Sequence, residues 1–135
     1  LNIDNQNRFY WKRFAAINKE LNLFEEAEFG YRKAVEFGDY QLDTWLFWVD
    51  ILQYLGEFES AIHTLLQASE YFPEEYEVEY RLAGMYFMIH DEAKAKFHLS
   101  NGLRLSFSNK TILEELFPVV WSRKMVQNAI NKCSK

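Results

Sequence analysis

Residues of similar type recur along this chain every 34 positions. Ala15, Val49 and Ala83 form one column, Ala27, Ala61 and Ala95 a second, and Ala34, Ala68 and Gly102 a third. Trp11 and Trp45 begin a column that Glu79 completes, and Phe24 and Phe58 one that Glu92 completes. A fixed period of this size means one supersecondary unit used repeatedly, each burying its apolar face against the next. It divides the chain without gaps into repeats 8–41, 42–75 and 76–109, with 1–7 before them and 110–135 after.

Each unit reads as two helices. In 42–55, Trp45, Trp48, Val49, Leu52 and Leu55 follow helical spacing, and in 58–72 so do Ala61, Ile62, Leu65, Leu66 and Ser69. Asn22, Gly56 and His90 form the column between paired helices. A tight reversal often needs one residue at positive φ, which Gly tolerates and Asn and His accept better than most. Pro73 stops the second helix because it has no N–H to donate inside one. The alanine columns let helices approach to the near end of the usual 8–10 Å range. Aromatic side chains fill the space beside them, each burying roughly 150–250 Å².

Composition removes several function classes. Hydrophobic residues make up 49% of the chain and aromatics 18%, which excludes a charge-dominated disordered segment. A net charge of -5 argues against binding nucleic acid through its phosphates. No apolar run reaches the roughly 18–20 residues of a membrane span. The single Cys133 excludes an internal disulfide and fits a reducing compartment, so a cytoplasmic location is expected.

Chemistry-bearing motifs are absent. His63, His90 and His98 lack the i, i+4 spacing of a helical metal site, and turn or surface roles are expected for them. The doublets Glu25-Glu26, Glu74-Glu75 and Glu114-Glu115 fall near helix starts, where they favour the positive end of the helix dipole. Cys133 has no partner base, and no Gly-rich phosphate loop occurs. Gly30 and Gly84 lie inside helices, where close packing is the expected reason. Trp45 and Trp48 are expected in the core, with Phe47 on another side of their helix. No catalytic, cofactor or metal residues are assigned.

The spacing of Trp45, Leu52, Gly56, Phe58, Ala61, Leu65, Ala68 and Pro73 resembles the tetratricopeptide repeat. The likeness covers about three quarters of the chain. It departs at Trp48-Val49, where Leu-Gly is usual, at Asn18 and Asp39 in repeat one, and at Glu79 in repeat three. Repeats of 35 residues that read RNA bases are the competing class, and the constant period and acidic balance speak against them. The resemblance implies an all-α fold, an α-solenoid of antiparallel helix hairpins in a right-handed superhelix. It also implies that the first helix of each repeat lines an inner, concave face.

On that implication repeat one presents Phe9, Lys12, Arg13, Ala16, Lys19 and Glu20, and repeat two Asp43, Leu46, Phe47, Asp50, Gln53 and Tyr54. Repeat three presents Glu77, Tyr80, Arg81, Gly84, Phe87 and Met88. Basic residues flank an aromatic middle, as suits a peptide with apolar anchors and an acidic group. The expected contact residues are Phe9, Lys12, Arg13, Phe47, Asp50, Tyr54, Tyr80, Arg81 and Phe87. Some family members grip a partner's C-terminal carboxylate with two Lys, two Asn and an Arg. Lys12 and Arg81 match, but Ala16, Phe47 and Glu77 do not, which speaks against that ligand.

Both ends carry expectations. Leu1 and Ile3 stand 34 positions before Val35 and Phe37, so 1–7 reads as the tail of a preceding repeat's second helix plus the turn into Arg8. A fragment of a longer array is expected. Phe9, Tyr10 and Phe14 would then carry uncovered apolar surface, and two copies would pair through it. At the other end, 110–135 reads as a short helix, a bend at Pro118 and a last helix near 123–133 capped by Ser122, covering repeat three. A final short helix after Phe-Pro is similar to the ends of some bacterial arrays. The function expected is a non-catalytic protein-interaction scaffold. The alternative is a regulatory or targeting region of a larger protein whose catalytic part lies elsewhere.

Overall fold

A computed structural model describes residues 3–134, with side chains from residue 7 onward. The described residues form helices and turns, with no strand among them. In order these are α1 (Ile3–Glu20), α2 (Phe24–Glu36), α3 (Leu42–Tyr54), α4 (Phe58–Tyr71), α5 (Tyr76–Met88) and α6 (Glu92–Leu105). A 3-10 turn (Phe107–Asn109) leads into α7 (Thr111–Leu116), α8 (Pro118–Trp121) and α9 (Lys124–Cys133). The chain forms two compact units, Leu1–Thr64 and Leu65–Lys135, with the division inside α4.

The reversals follow from local backbone geometry. Asn22, Gly56 and His90 have φ of 60°, 76° and 65°. At each, two backbone N–H groups reach back to the end of the preceding helix. Asn22 N–H donates to Lys19 O and Leu23 N–H to Asn18 O; Gly56 and Glu57 do the same to Gln53 and Leu52, and His90 and Asp91 to Phe87 and Tyr86. This is the Schellman arrangement, which satisfies carbonyls that a helix end leaves open. Residues 3–7 differ from the expectation: they are the start of α1 and not a turn before it. Asn5 stands where a Pro would have broken the helix, and nothing else in the run forbids helical backbone. Leu1 lies outside the described residues.

In the first unit α2 packs on both α1 and α3. The core joins Ala15, Ala27, Tyr31 and Ile51, with Phe24, Trp48 and Leu55 packed around them. Trp45 is buried, whereas Trp48 is half-buried and donates its indole N–H to Glu28 at 2.9 Å. α1 and α2 pack tightly at Gly30, where an added Cβ would lie 2.8 Å from the Ala15 Cβ and 3.0 Å from its Cα. Gly30→Ala therefore sets two effects against each other. Helix propensity favours Ala by about 1 kcal/mol. Overpacking costs about 1–3 kcal/mol, and here the obstacle is partly backbone. We expect a net loss of about 1–2 kcal/mol in urea unfolding. A raised melting temperature would show that the two helices part freely.

The second unit is built around α5. It packs along α6 on one side and against α7 and α8 on another, while α9 rests on α6 and α8. Eight of its residues are buried. Glu79 replaces the tryptophan of the other repeats by a polar bridge: its carboxylate binds His98 Nδ1 at 2.6 Å and Asn101 Nδ2 at 3.4 Å, both on α6. His98 also stacks on Tyr86, so its role is a helix-to-helix link, and the turn or surface role expected for it is corrected. Ser122 does not cap α9. Its hydroxyl donates to the Val119 carbonyl, and Arg123 occupies the cap position. Pro118 opens α8 at its first turn, where a missing N–H costs nothing.

Candidate functional site

The expected contact residues of the first unit lie on α1 and α3. Phe9, Tyr10, Lys12, Arg13 and Ala16 line an open depression of about 700 Å³. Phe9 is 61% exposed and Tyr10 60%. Lys12 is anchored, not free. Its ammonium donates to Gln41 at 3.0 Å and lies 3.7 Å from the buried Asp39 carboxylate, which also accepts the Gln41 N–H. Beside it Arg8 donates to the Gly38 carbonyl. Arg13 is exposed and makes no ion pair among the described residues.

Phe47 connects the two helices. Lys19 of α1 stands over its ring at 5.6 Å, and Tyr31 of α2 lies 5.9 Å from it. A cation over an aromatic face is a favourable arrangement. Tyr54 is the most open of the aromatics at 71%, with its ring against Phe24 at 4.1 Å. Asp50, half-buried, adds negative charge near Tyr31 and reinforces the effect of burial, which raises that tyrosine's pKa. α1 thus carries exposed Phe9 and Arg13, and α3 exposed Phe47 and Tyr54, with Lys19 of α1 reaching over the Phe47 ring.

In the second unit the expected site residues require a correction. Tyr80 and Phe87 are completely buried and cannot line an open groove. The Tyr80 ring lies against Gly102 of α6, where an added Cβ would come within 2.9 Å, and its hydroxyl donates to the Ser106 carbonyl at 2.8 Å. Phe87 lies under the Arg123 guanidinium at 5.6 Å. Gly84, on the same face, is where the Phe117 ring enters, and an added Cβ would overlap it. The physical reason is that α6 closes over Tyr80, while Phe117, between α7 and α8, fills the face at Gly84. Arg81 is half-buried. What sequence reasoning missed was Phe117. Its signal was the pairing of a helical Gly84 with a bulky residue next to Pro118.

No helix among the described residues is long and apolar enough to cross a membrane. No cluster of three or more His, Cys, Asp or Glu side chains able to hold a metal occurs among them. No protein-family model and no curated protein matches the sequence. Solved structures do. The MamA protein superposes with a TM-score of 0.75 at 17% identity, over 93% of this chain and 68% of that one. The first TPR of Spaghetti (RPAP3), bound to the HSP90 peptide SRMEEVD, gives 0.72 at 17% identity over 93% and 94%. The Yersinia enterocolitica type III secretion chaperone SycD, in complex with a peptide of the translocator YopD, gives 0.68 at 17% over 93% and 90%. Such identities establish architecture alone, and on that ground the chain has the all-α, helical-repeat fold of the tetratricopeptide-repeat proteins.

Proposed function

We propose that this protein is a non-catalytic interaction module whose first unit binds a peptide segment bearing apolar anchors and an acidic group. The observation that carries this reading is the depression along α1, where exposed Phe9 and Tyr10 stand beside the unpaired Arg13. Aromatic and arginine side chains are the residue types that dominate binding energy at interfaces. Two solved structures of the same fold hold peptides, an HSP90 peptide and a YopD peptide, which supports a peptide as ligand here. With Tyr80 and Phe87 buried, the contact set reduces to α1 and α3: Phe9, Arg13, Lys19, Phe47 and Tyr54.

A random peptide library panned on the immobilised protein should enrich sequences with an acidic residue close to an aromatic or aliphatic one. The triple variant Phe9→Ala, Arg13→Glu, Phe47→Ala should then weaken a selected peptide by about a hundredfold, or about 2.7 kcal/mol, with helicity unchanged by circular dichroism. Retained affinity would place the site elsewhere. The exposure of Phe9 and Tyr10 also fits a second copy of the chain as occupant. In that case sedimentation would show concentration-dependent dimers that the same triple variant abolishes.

A further inference from the structure

We propose that a second surface, the trough between α6 and α9, is a docking site for an acidic amphipathic helix of a partner protein. The trough lies wholly within the second unit and holds about 570 Å³. Its floor is apolar. Leu99 and Leu103 come from α6, Met125 and Ala129 from α9, and each pair is four residues apart. Residues at that spacing share one helix face. Two such ridges leave a channel that the side-chain ridge of a third helix fills.

Charge selects the occupant. Lys96 stands on the α6 side, Lys124 and Lys132 on the α9 side, and all three are exposed. None makes an ion pair or hydrogen bond among the described residues. Elsewhere in this acidic chain lysines are committed, as in Lys12 with Asp39 and Lys33 with Glu36. Three uncompensated ammonium groups around an apolar floor are complementary to carboxylates flanking apolar side chains, and they repel a basic segment. Lys124 and Lys132 are eight residues apart, about 12 Å along the helix at 1.5 Å per residue. A partner helix with two carboxylates seven or eight positions apart matches that span, and its apolar residues three and four positions on from the first face the floor. Leu99 and Leu103, at 1% and 4% exposed, close the bottom of the trough, and the half-buried Met125 and Ala129 supply the apolar surface that a ligand touches. A side-chain ridge fits a concave floor of this kind, whereas a flat bilayer surface does not, which favours a peptide over a membrane.

The test uses the whole chain and a fluorescein-labelled, stapled helical peptide with two glutamates about seven positions apart and leucines between them. Anisotropy should report saturable binding at low salt that weakens as salt rises. The variant Lys124→Glu, Lys132→Glu should weaken it at least about tenfold, whereas Lys94→Glu, on the side of α6 that faces Tyr86 of α5, leaves it unchanged. Exchanging the peptide's glutamates for lysines should abolish binding. Cys133 is exposed at the trough, so a peptide whose one cysteine is activated as a 2-pyridyl disulfide should exchange with its thiolate, expelling pyridine-2-thione, to leave a mixed disulfide that Cys133→Ser prevents. The last two arms use the wild-type chain or a surface change and stand even if the double variant fails to fold. Absent or non-saturable binding, equal binding by the double variant, or binding of the lysine peptide would overturn the proposal. So would sedimentation of the chain with phosphatidylserine vesicles in place of peptide binding, or a dimer that Lys124→Glu, Lys132→Glu dissolves.

Discussion

Phe117→Ala is expected to destabilise the second unit by about 3–5 kcal/mol. The ring is 3% exposed and joins three elements. Its backbone N–H donates to the Leu113 carbonyl at the end of α7, its own carbonyl accepts from Trp121 at the end of α8, and its side chain enters the notch left by Gly84 on α5. Truncation leaves a cavity beside a glycine, where no neighbouring side chain can fold in to fill it. Leu113 and Val120, both completely buried, lose the same support. Gly84→Ala is the converse experiment. It gains about 1 kcal/mol of helix propensity, but the new methyl overlaps the ring, and a net loss of about 1–2 kcal/mol is expected. Combined with Gly84→Ala, Phe117→Leu should cost less than the sum of the two single changes, because the smaller side chain makes room for the methyl. Urea unfolding followed by circular dichroism measures all of these. A loss under about 1 kcal/mol for Phe117→Ala would show that α7 and α8 hold to α5 without it.

Stability should also fall steeply at alkaline pH. Burial pushes the Tyr80 hydroxyl from 10.0 up to about 12, with a smaller contribution from negative charge on Cys133. The neutral hydroxyl donates to Ser106, and a phenolate cannot. Above pH 10 the unfolded chain therefore loses this proton while the folded one keeps it. Unfolding then becomes easier with rising pH, because the folded state binds more protons. The contribution is fully present below pH 10 and is lost as pH rises through about 12. It amounts to on the order of 2–3 kcal/mol. Tyr31, also raised, first by burial and then by Asp50, acts in the same direction. Urea midpoints measured from pH 8 upward should show the fall. Tyr80→Phe should cost about 1 kcal/mol at neutral pH by losing one hydrogen bond, and it should flatten the alkaline slope without removing it. An unchanged slope in Tyr80→Phe would assign the effect to other groups.

Much of the architecture was legible in the sequence because it depends on requirements that each residue meets locally. The column Asn22, Gly56, His90 was readable as reversals, since positive φ restricts residue type at a single position. The alanine columns were readable as close contacts, and Ala15, Ala27, Ala34, Ala61, Ala68, Ala83 and Ala95 are all completely buried. Repeat register also identified which residues occupy equivalent places on the first helix of each repeat. It did not identify what lies over them. Lys12, Leu46 and Tyr80 share one register position, yet Lys12 reaches to Asp39, Leu46 is buried, and Tyr80 is sealed against α6. Lys19 and Phe87 share another, one standing over Phe47 and the other under Arg123.

Of the candidate site, the α5 residues Tyr80 and Phe87 were misread as open. Phe117 is 33 residues from Gly84, so the contact that closes α5 belongs to no local period. Glu79 looked like a lapse from the tryptophan column until His98, on the neighbouring helix, supplied its partner. The trough between α6 and α9 left no signal either, because lysines spaced around a helix read as an ordinary solvated face until a second helix is placed beside them. The sequence by itself determined the period, the helices and the points where the chain reverses, through dihedral and steric demands made within a few residues. Only the tertiary structure decided which faces stay open, because burial depends on what docks from far along the chain.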